Sequence, residues 1–288
     1  MNRPYILYCD STCDLNSDVL AKMDAKILQL VFEVDGESFT NDNISMQEFY
    51  KRMRAGATTK TSQISTGVYI DVWEEELKKG YDILYLAFSS GLSGSYSSSL
   101  IARDTLLEKY PDAKIRIVDS LCASSGEGLL LYYAEKKKRE GMDIDRLADW
   151  LEVTRYHLCH VFTVDDLKYL FRGGRVSRAA AIAGTVMNIK PVLNVDNDGH
   201  LIPQGKVRGR KQSINKLGEM IKERKGDHEN KVVALSHGDC IEDAEYAVKM
   251  MKDIFGKDTE VIVNYTGPVI GAHSGPGTLA LFFMGEYR

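Results

Sequence analysis

The sequence predicts an α/β protein of two domains: an N-terminal parallel sheet with helices on both faces, and a C-terminal mixed or antiparallel α/β domain. Three observations carry this prediction. The chain has 288 residues, more than one moderate domain uses at roughly 100–200 residues each. Apolar strand-like runs alternate with helical patterns through the first half, and Asp82–Phe88 (DILYLAF) is a continuous apolar run of the kind buried on both faces of a parallel sheet. Beyond about residue 155 the pattern changes to two runs joined by Asn197-Asp198-Gly199, an antiparallel hairpin signal. The expected domains are therefore 1–155 and 156–288.

Each element has its own local signal. Tyr5–Cys9 is a short strand closed by the capping cluster Asp10, Ser11 and Thr12, and Asn16–Lys22 is helical. Lys26–Val34 reads as a second strand, turning at Asp35-Gly36 into a hairpin. Ser45–Ala55 sets Met46, Phe49, Tyr50 and Met53 at helical spacing and ends at Gly56; a polar stretch, Ala57–Thr66, comes next. Val68–Lys79 is a helix with Glu74, Glu75 and Glu76 outward, leading into the strand at Asp82. Ser97–Tyr110, Lys114–Val118 and Gly126–Glu140 continue as helix, strand and helix, and Asp145–Arg155 is a helical link.

The second half opens with a strand at His160–Val164, a helix at Asp165–Phe171, a Gly173-Gly174 break and a helix near Arg178–Met187. The hairpin pairs Pro191–Val195 with Leu201–Val207. Helix Lys211–Arg224, strand Lys231–Ser236, helix Ile241–Phe255 and strand Glu260–Tyr265 complete the pattern.

Composition narrows the function classes. Hydrophobic residues make up 44% and charged residues 27%, with 24 Gly and 6 Pro, which excludes collagen-like and disordered chains. Lys+Arg 37 against Asp+Glu 41 leaves a net charge of −4, so no global field holds a nucleic acid. Five cysteines (Cys9, Cys13, Cys122, Cys159 and Cys240) are an odd number in a long chain, and fit reduced thiols in the cytoplasm. The start has no signal-peptide pattern, and no apolar run reaches the ~18 residues a membrane span needs.

The strongest chemical signal is Ser89–Ser99 (SSGLSGSYSSS), set between a buried strand and a helix. Freed backbone N–H groups and hydroxyls at a helix start bind anions without a cationic side chain; an ordinary Ser/Gly cap weighs about equally. Asp10–Asp14 and Thr58–Ser65 are polar segments expected to meet it at the carboxyl edge of the sheet. Asp10 itself reads better as a cap than as a base. Gly271–Thr278 (GAHSGPGT) flanks His273 with constraining Gly and Pro, which suits a ligand-facing imidazole.

Several familiar sites fail on inspection. Gly91-Leu-Ser93-Gly-Ser95 lacks the final Gly of a nucleophile elbow, no P-loop occurs, and Gly275–Ala280 lies too near residue 288 for a dinucleotide fold. His157 and His160 lack further ligands at metal spacing, so no metal site is expected.

Taken together and in order, these segments resemble the DegV family of bacterial fatty-acid-binding proteins: DSTCDL at 10–15, TSQIS at 61–65, SSGLSGSY at 89–96, VDS at 118–120, DLKYLFRGGRVS at 166–177, IKPVL at 189–193, VRGRKQ at 207–212 and HSGPGT at 273–278. Ile64 departs from the Pro found in many relatives. The resemblance implies a long-chain fatty acid held in an apolar tunnel between the domains, with no other cofactor. It implies a lipid-binding subunit, not itself a catalyst, that presents the carboxylate to a separate ATP-dependent fatty acid kinase subunit for acyl-phosphate formation feeding phospholipid synthesis.

By position, the carboxylate is expected to meet Thr61, Ser93, the N–H of Gly94 and His273, with Ser62, Ser95 and Ser274 nearby. Arg172 and Arg175 fall to the partner face. Expected partners are the fatty acid and the kinase subunit, with at most transient contact to a membrane surface and none to nucleic acid. Two other classes stay open: a stand-alone serine acyl hydrolase or transferase using Ser93 and His273, and a binding module for another small anion.

Overall fold

The computed structural model describes residues 3–177 and 188–288. The helix expected near Arg178–Met187 lies outside the described residues. The first half comprises β1 (Tyr5–Asp10), α1 (Ser17–Leu20), β2 (Ala25–Leu28), β3 (Phe32–Val34), β4 (Glu37–Phe39), α2 (Met46–Arg54), β5 (Thr59–Thr61), α3 (Thr66–Lys78), β6 (Asp82–Ala87), α4 (Ser95–Lys109), β7 (Ile115–Asp119), α5 (Ser125–Arg139) and α6 (Ile144–Thr154). The second half comprises β8 (Leu158–Thr163), α7 (Lys168–Arg172), β9 (Ile189–Val195), β10 (Leu201–Arg208), α8 (Arg210–Arg224), β11 (Val232–His237), α9 (Ile241–Phe255), β12 (Glu260–Tyr265), α10 (Pro268–Ser274) and β13 (Leu279–Met284).

The predicted α/β class holds. A four-stranded sheet runs β2-β1-β6-β7, all parallel, with Leu7 opposite Leu84 and Leu86 opposite Val118. Strand alternation sends its two faces to different layers. Ile83, Tyr85 and Ala87 pack with Tyr69 and Trp73 of α3, whereas Leu84 and Leu86 pack with the leucines of α5 and α6. A six-stranded mixed sheet runs β10-β9-β8-β13-β11-β12, and a small antiparallel sheet runs β4-β3-β5.

Helix α5 joins the two large sheets. Leu129 and Leu130 belong to one apolar cluster with Leu7 and Leu84 of the parallel sheet and Ala280 and Phe282 of the mixed one. Two glycines allow this closeness. A Cβ on Gly126 would lie 2.3 Å from His160 Nε2, and one on Gly128 would lie 2.4 Å from the Cys13 carbonyl. The outer face of the mixed sheet, with Leu279, Leu281 and Phe283, is covered by α8 and α9.

Several elements differ from expectation. The run Lys26–Val34 is two strands in two sheets, because Ser11 Oγ accepts from Leu30 N at 3.0 Å and draws the chain off the edge of β1. The helix expected from Asp165 starts at Lys168, since Asp166 Oδ1 caps its first N–H at 2.9 Å. Glu76 is buried rather than outward, accepting from Lys26 Nζ at 2.7 Å. The segment holding His273 is a helix ended by Gly275 at φ +83, and Leu279–Met284, given no element from the sequence, is an inner strand between β8 and β11. Among the described residues, no helix is long and apolar enough to cross a membrane.

Candidate functional site

Where the loops at the carboxyl edge of the parallel sheet meet the inner face of the mixed sheet lies a cavity of about 220 Å³. Its walls are mainly apolar, with Leu30, Phe88 and Leu92 from the first half and Phe162, Leu201 and Phe282 from the second. Apolar walls with a few convergent polar groups are the lining of a small-molecule site.

Thr61, Ser62, Ser93, Gly94, His273 and Ser274 all line this cavity, so residues more than 200 positions apart meet as anticipated. Thr61 ends β5, and its Oγ1 lies 2.7 Å from His273 Nε2 on α10. Burial, and then the positive charge of Arg175, push the His273 pKa down to about 4, so the ring is neutral near pH 7. A neutral ring donating through Nε2 leaves the Thr61 hydroxyl proton free for a ligand.

Ser93 is prepared in the same way. Its Oγ accepts from Ser95 N at 3.2 Å and lies 3.0 Å from Ser95 Oγ, which itself accepts from Ile64 N at 3.2 Å. With Ser95 donating to Ser93, the Ser93 proton points outward, unspent. Gly94, the N-cap of the 15-residue α4, lines the cavity, while the first N–H of the helix, on Ser95, is spent on Ser93 Oγ. The site thus brings the Thr61 and Ser93 hydroxyls together beside Gly94, with the Arg175 cation on the same wall.

Two expectations are revised by this geometry. Ser95 is fully buried and does not line the cavity; it holds the Ser93 loop to Ile64 instead of facing a ligand. Arg175 turns inward: its Nε and Nη2 donate to the Leu92 carbonyl at 3.0 and 2.9 Å, and the residue lines the cavity. A guanidinium committed to a backbone carbonyl cannot also clamp an outside partner. Arg172, by contrast, is exposed.

Asp10 is a cap, accepting from Thr12 N at 3.0 Å, Tyr85 OH at 2.7 Å and Phe88 N at 3.3 Å. It is fully buried, and desolvation raises its pKa despite these donors. His160 is an interior imidazole accepting from Ala123 N at 3.2 Å, and all five cysteines are unpaired thiols. Among the described residues, one trio of metal-type ligands occurs, Asp196, Asp198 and His200 in the exposed hairpin turn. Asp196 Oδ1 there already accepts from the N–H groups of Asp198 and His200.

Sequence reasoning missed other wall residues. Gln63 donates through Nε2 to Ser98 Oγ at 2.9 Å beside Gly94. Ser124, Ser236 and Thr266 form a polar patch elsewhere on the wall. Gln63 lies inside the TSQIS segment, whereas Ser124, Ser236 and Thr266 sit at strand or loop ends without a motif to mark them. Gly173 reads in sequence only as a helix break, yet a Cβ there would fall 2.1 Å from His273 Nδ1.

Known proteins give a consistent picture. A DegV domain-containing protein of Clostridium perfringens (strain 13 / Type A) is 41% identical, covering 99% of both chains. A stearic acid-binding protein from Eubacterium ventriosum superposes with a TM-score of 0.88 at 27% identity, covering 98% of this chain and 99% of that one. A DegV lipid-binding protein from Thermotoga maritima gives a TM-score of 0.86 at 28% identity, with 99% of each chain covered. The family model described as "Uncharacterised protein, DegV family" matches residues 7–286, and this chain belongs to the DegV family.

Proposed function

We propose that the chain binds one long-chain fatty acid in the cavity, with residues 1–155 and 156–288 as the domains that enclose it. The observation that carries this reading is an apolar cavity where Thr61, Ser93 and Gly94 meet a neutral His273, with the Arg175 cation held on the Leu92 carbonyl of the same wall. Burial of about 14 methylenes at ~0.8 kcal/mol each contributes roughly 11 kcal/mol before ordering costs, so the tail supplies affinity and the head needs only to be satisfied. Solved relatives described as fatty-acid-binding support the reading.

Donors of this kind also suit acyl activation, because Arg175 is held by the Leu92 carbonyl rather than by a carboxylate. A carboxylate locked against arginine is a poor nucleophile, whereas one held by hydroxyls and N–H groups stays reactive. The protein is then the cytoplasmic binding subunit of a bacterial fatty acid kinase system, offering the carboxylate to a separate ATP-dependent subunit whose acyl phosphate enters phospholipid synthesis. Ser62 and Ser274 flank the head group on the cavity wall.

Denaturing extraction of the purified protein followed by lipid mass spectrometry tests the reading. A stoichiometric free fatty acid is expected; a retained sugar phosphate or nucleotide instead would overturn it. Ser93→Ala is expected to lower fatty acid affinity about tenfold, the loss of one hydrogen bond to a charged group. Ester turnover by the parent that vanishes in Ser93→Ala would favour a hydrolase.

Docking of the kinase subunit falls to exposed Arg172. Arg172→Glu is expected to weaken kinase coupling at unchanged lipid affinity, whereas unchanged coupling refutes the docking role.

A further inference from the structure

We infer that Ser124, Ser236 and Thr266 form a second recognition point in the cavity, one that takes a hydroxyl carried partway along the acyl chain. The inference rests on the fatty-acid reading and goes beyond it by naming a class of fatty acid.

The first argument is position. Thr266, Val269, Ile270 and His273 all line the cavity; the last three share one face of α10, and Thr266 stands just before its Gly267 cap. Val269 and Ile270 form an apolar interval between the head site at His273 and the polar point at Thr266. At 1.5 Å rise Pro268 lies roughly 8 Å along α10 from His273, and Thr266 lies two residues further back across the extended Gly267, partway down a long acyl chain.

The second argument is the state of the hydrogen bonds. Ser124 Oγ donates to Asp14 Oδ2, and Ser236 Oγ lies 2.8 Å from Ser124 Oγ. With the Ser124 proton spent on Asp14, Ser236 donates to Ser124 and keeps lone pairs open. Thr266 is fully buried and its Oγ1 has no hydrogen-bond partner, although its backbone N–H and C=O are both engaged, with His237 and Tyr50. The wall therefore presents an acceptor at Ser236 and an unspent hydroxyl at Thr266, which match the single donor and the lone pairs of an alcohol. An unsubstituted methylene at this depth leaves the Thr266 hydroxyl unsatisfied, a cost that buried polar groups rarely bear.

The test is a calorimetric titration of delipidated protein with 10-hydroxyoctadecanoic acid and with octadecanoic acid. The hydroxy acid is expected to bind about tenfold tighter, equivalent to ~1.4 kcal/mol. Thr266→Val is expected to bring that ratio near one, and Ser236→Ala provides a second route should the first variant misfold. Thr61→Val, at the head site, is expected to weaken both acids together and keep their ratio. Equal binding of the two acids by the parent, or a ratio that survives both Thr266→Val and Ser236→Ala, overturns the inference while leaving fatty acid binding intact. Failure of either acid to bind the parent refutes the fatty-acid reading and this inference with it.

Discussion

Gly173→Ala is expected to abolish fatty acid retention while leaving the fold in place. Gly173 sits at φ −73°, where alanine is as comfortable as glycine, so backbone conformation adds no penalty. The effect is purely steric. The new Cβ would stand 2.1 Å from His273 Nδ1 and 3.0 Å from Cε1, well inside van der Waals contact. The imidazole must swing away, which breaks its 2.7 Å bond to Thr61 Oγ1 and releases the constraint that aims the Thr61 proton at the ligand.

Backbone shift cannot relieve the clash cheaply, because Gly173 N donates to the Tyr169 carbonyl and Gly174 N to that of Phe171. Overpacking of this kind costs about 1–3 kcal/mol of stability. The expected readout is at least about a tenfold fall in fatty acid retained per mole of protein, measured by extraction and mass spectrometry, with the circular dichroism of the parent preserved. Parental lipid content in the variant would remove His273 from the site.

This glycine also marks the limit of what local pattern can disclose. Thr61, Ser93, Gly94 and His273 are legible because each lies in a short polar motif beside a strand or helix end, where parallel-sheet topology gathers loops. Gly173 is visible only as a break, because its contact with an imidazole a hundred residues later exists only after folding.

The same distinction runs through the fold. Strand β6 announces itself by six buried residues in sequence, whereas the split between β2 and β3 depends on Ser11 reaching across to Leu30. Helix α10 is obscured by its glycines, although Pro268 at its first turn is a helix-start signal. Strand β13 is in principle readable: Leu279–Met284 is wholly apolar, and the glycine-rich loop before it draws attention away from an ordinary strand signal. Ser236 and Thr266 carry no local mark at all, since one residue at the end of a strand looks like any other until the opposing wall is known.

Asp14→Asn is expected to stabilise the protein at alkaline pH. Asp14 is buried with Oδ2 accepting from Ser124 and Oδ1 without a partner of good geometry. Desolvation raises its pKa from 3.8 to about 8, outweighing the Ser124 and Gly267 donors that favour the charged form. Between these two values the folded chain holds a proton that the unfolded chain has released. Stability from this group is therefore complete below pH 3.8 and is lost as pH rises through about 8. His273 acts in the opposite sense over a lower window: its pKa falls from 6.5 to about 4, so the fold loses stability as pH drops between them.

Comparing the variant with its parent isolates Asp14, because His273 and Asp10 are common to both. Asparagine keeps an acceptor for Ser124 and tolerates the left-handed backbone at φ 50°, so the substitution removes the titration without imposing backbone strain. From pH 6.5 to pH 8 the advantage of the variant should grow by about 2 kcal/mol, the product of 1.5 pH units and ~1.4 kcal/mol per unit. Urea denaturation at the two pH values measures this directly. An advantage that does not change with pH means that Asp14 is ionised throughout, and that the Ser124 and Gly267 donors offset its burial after all.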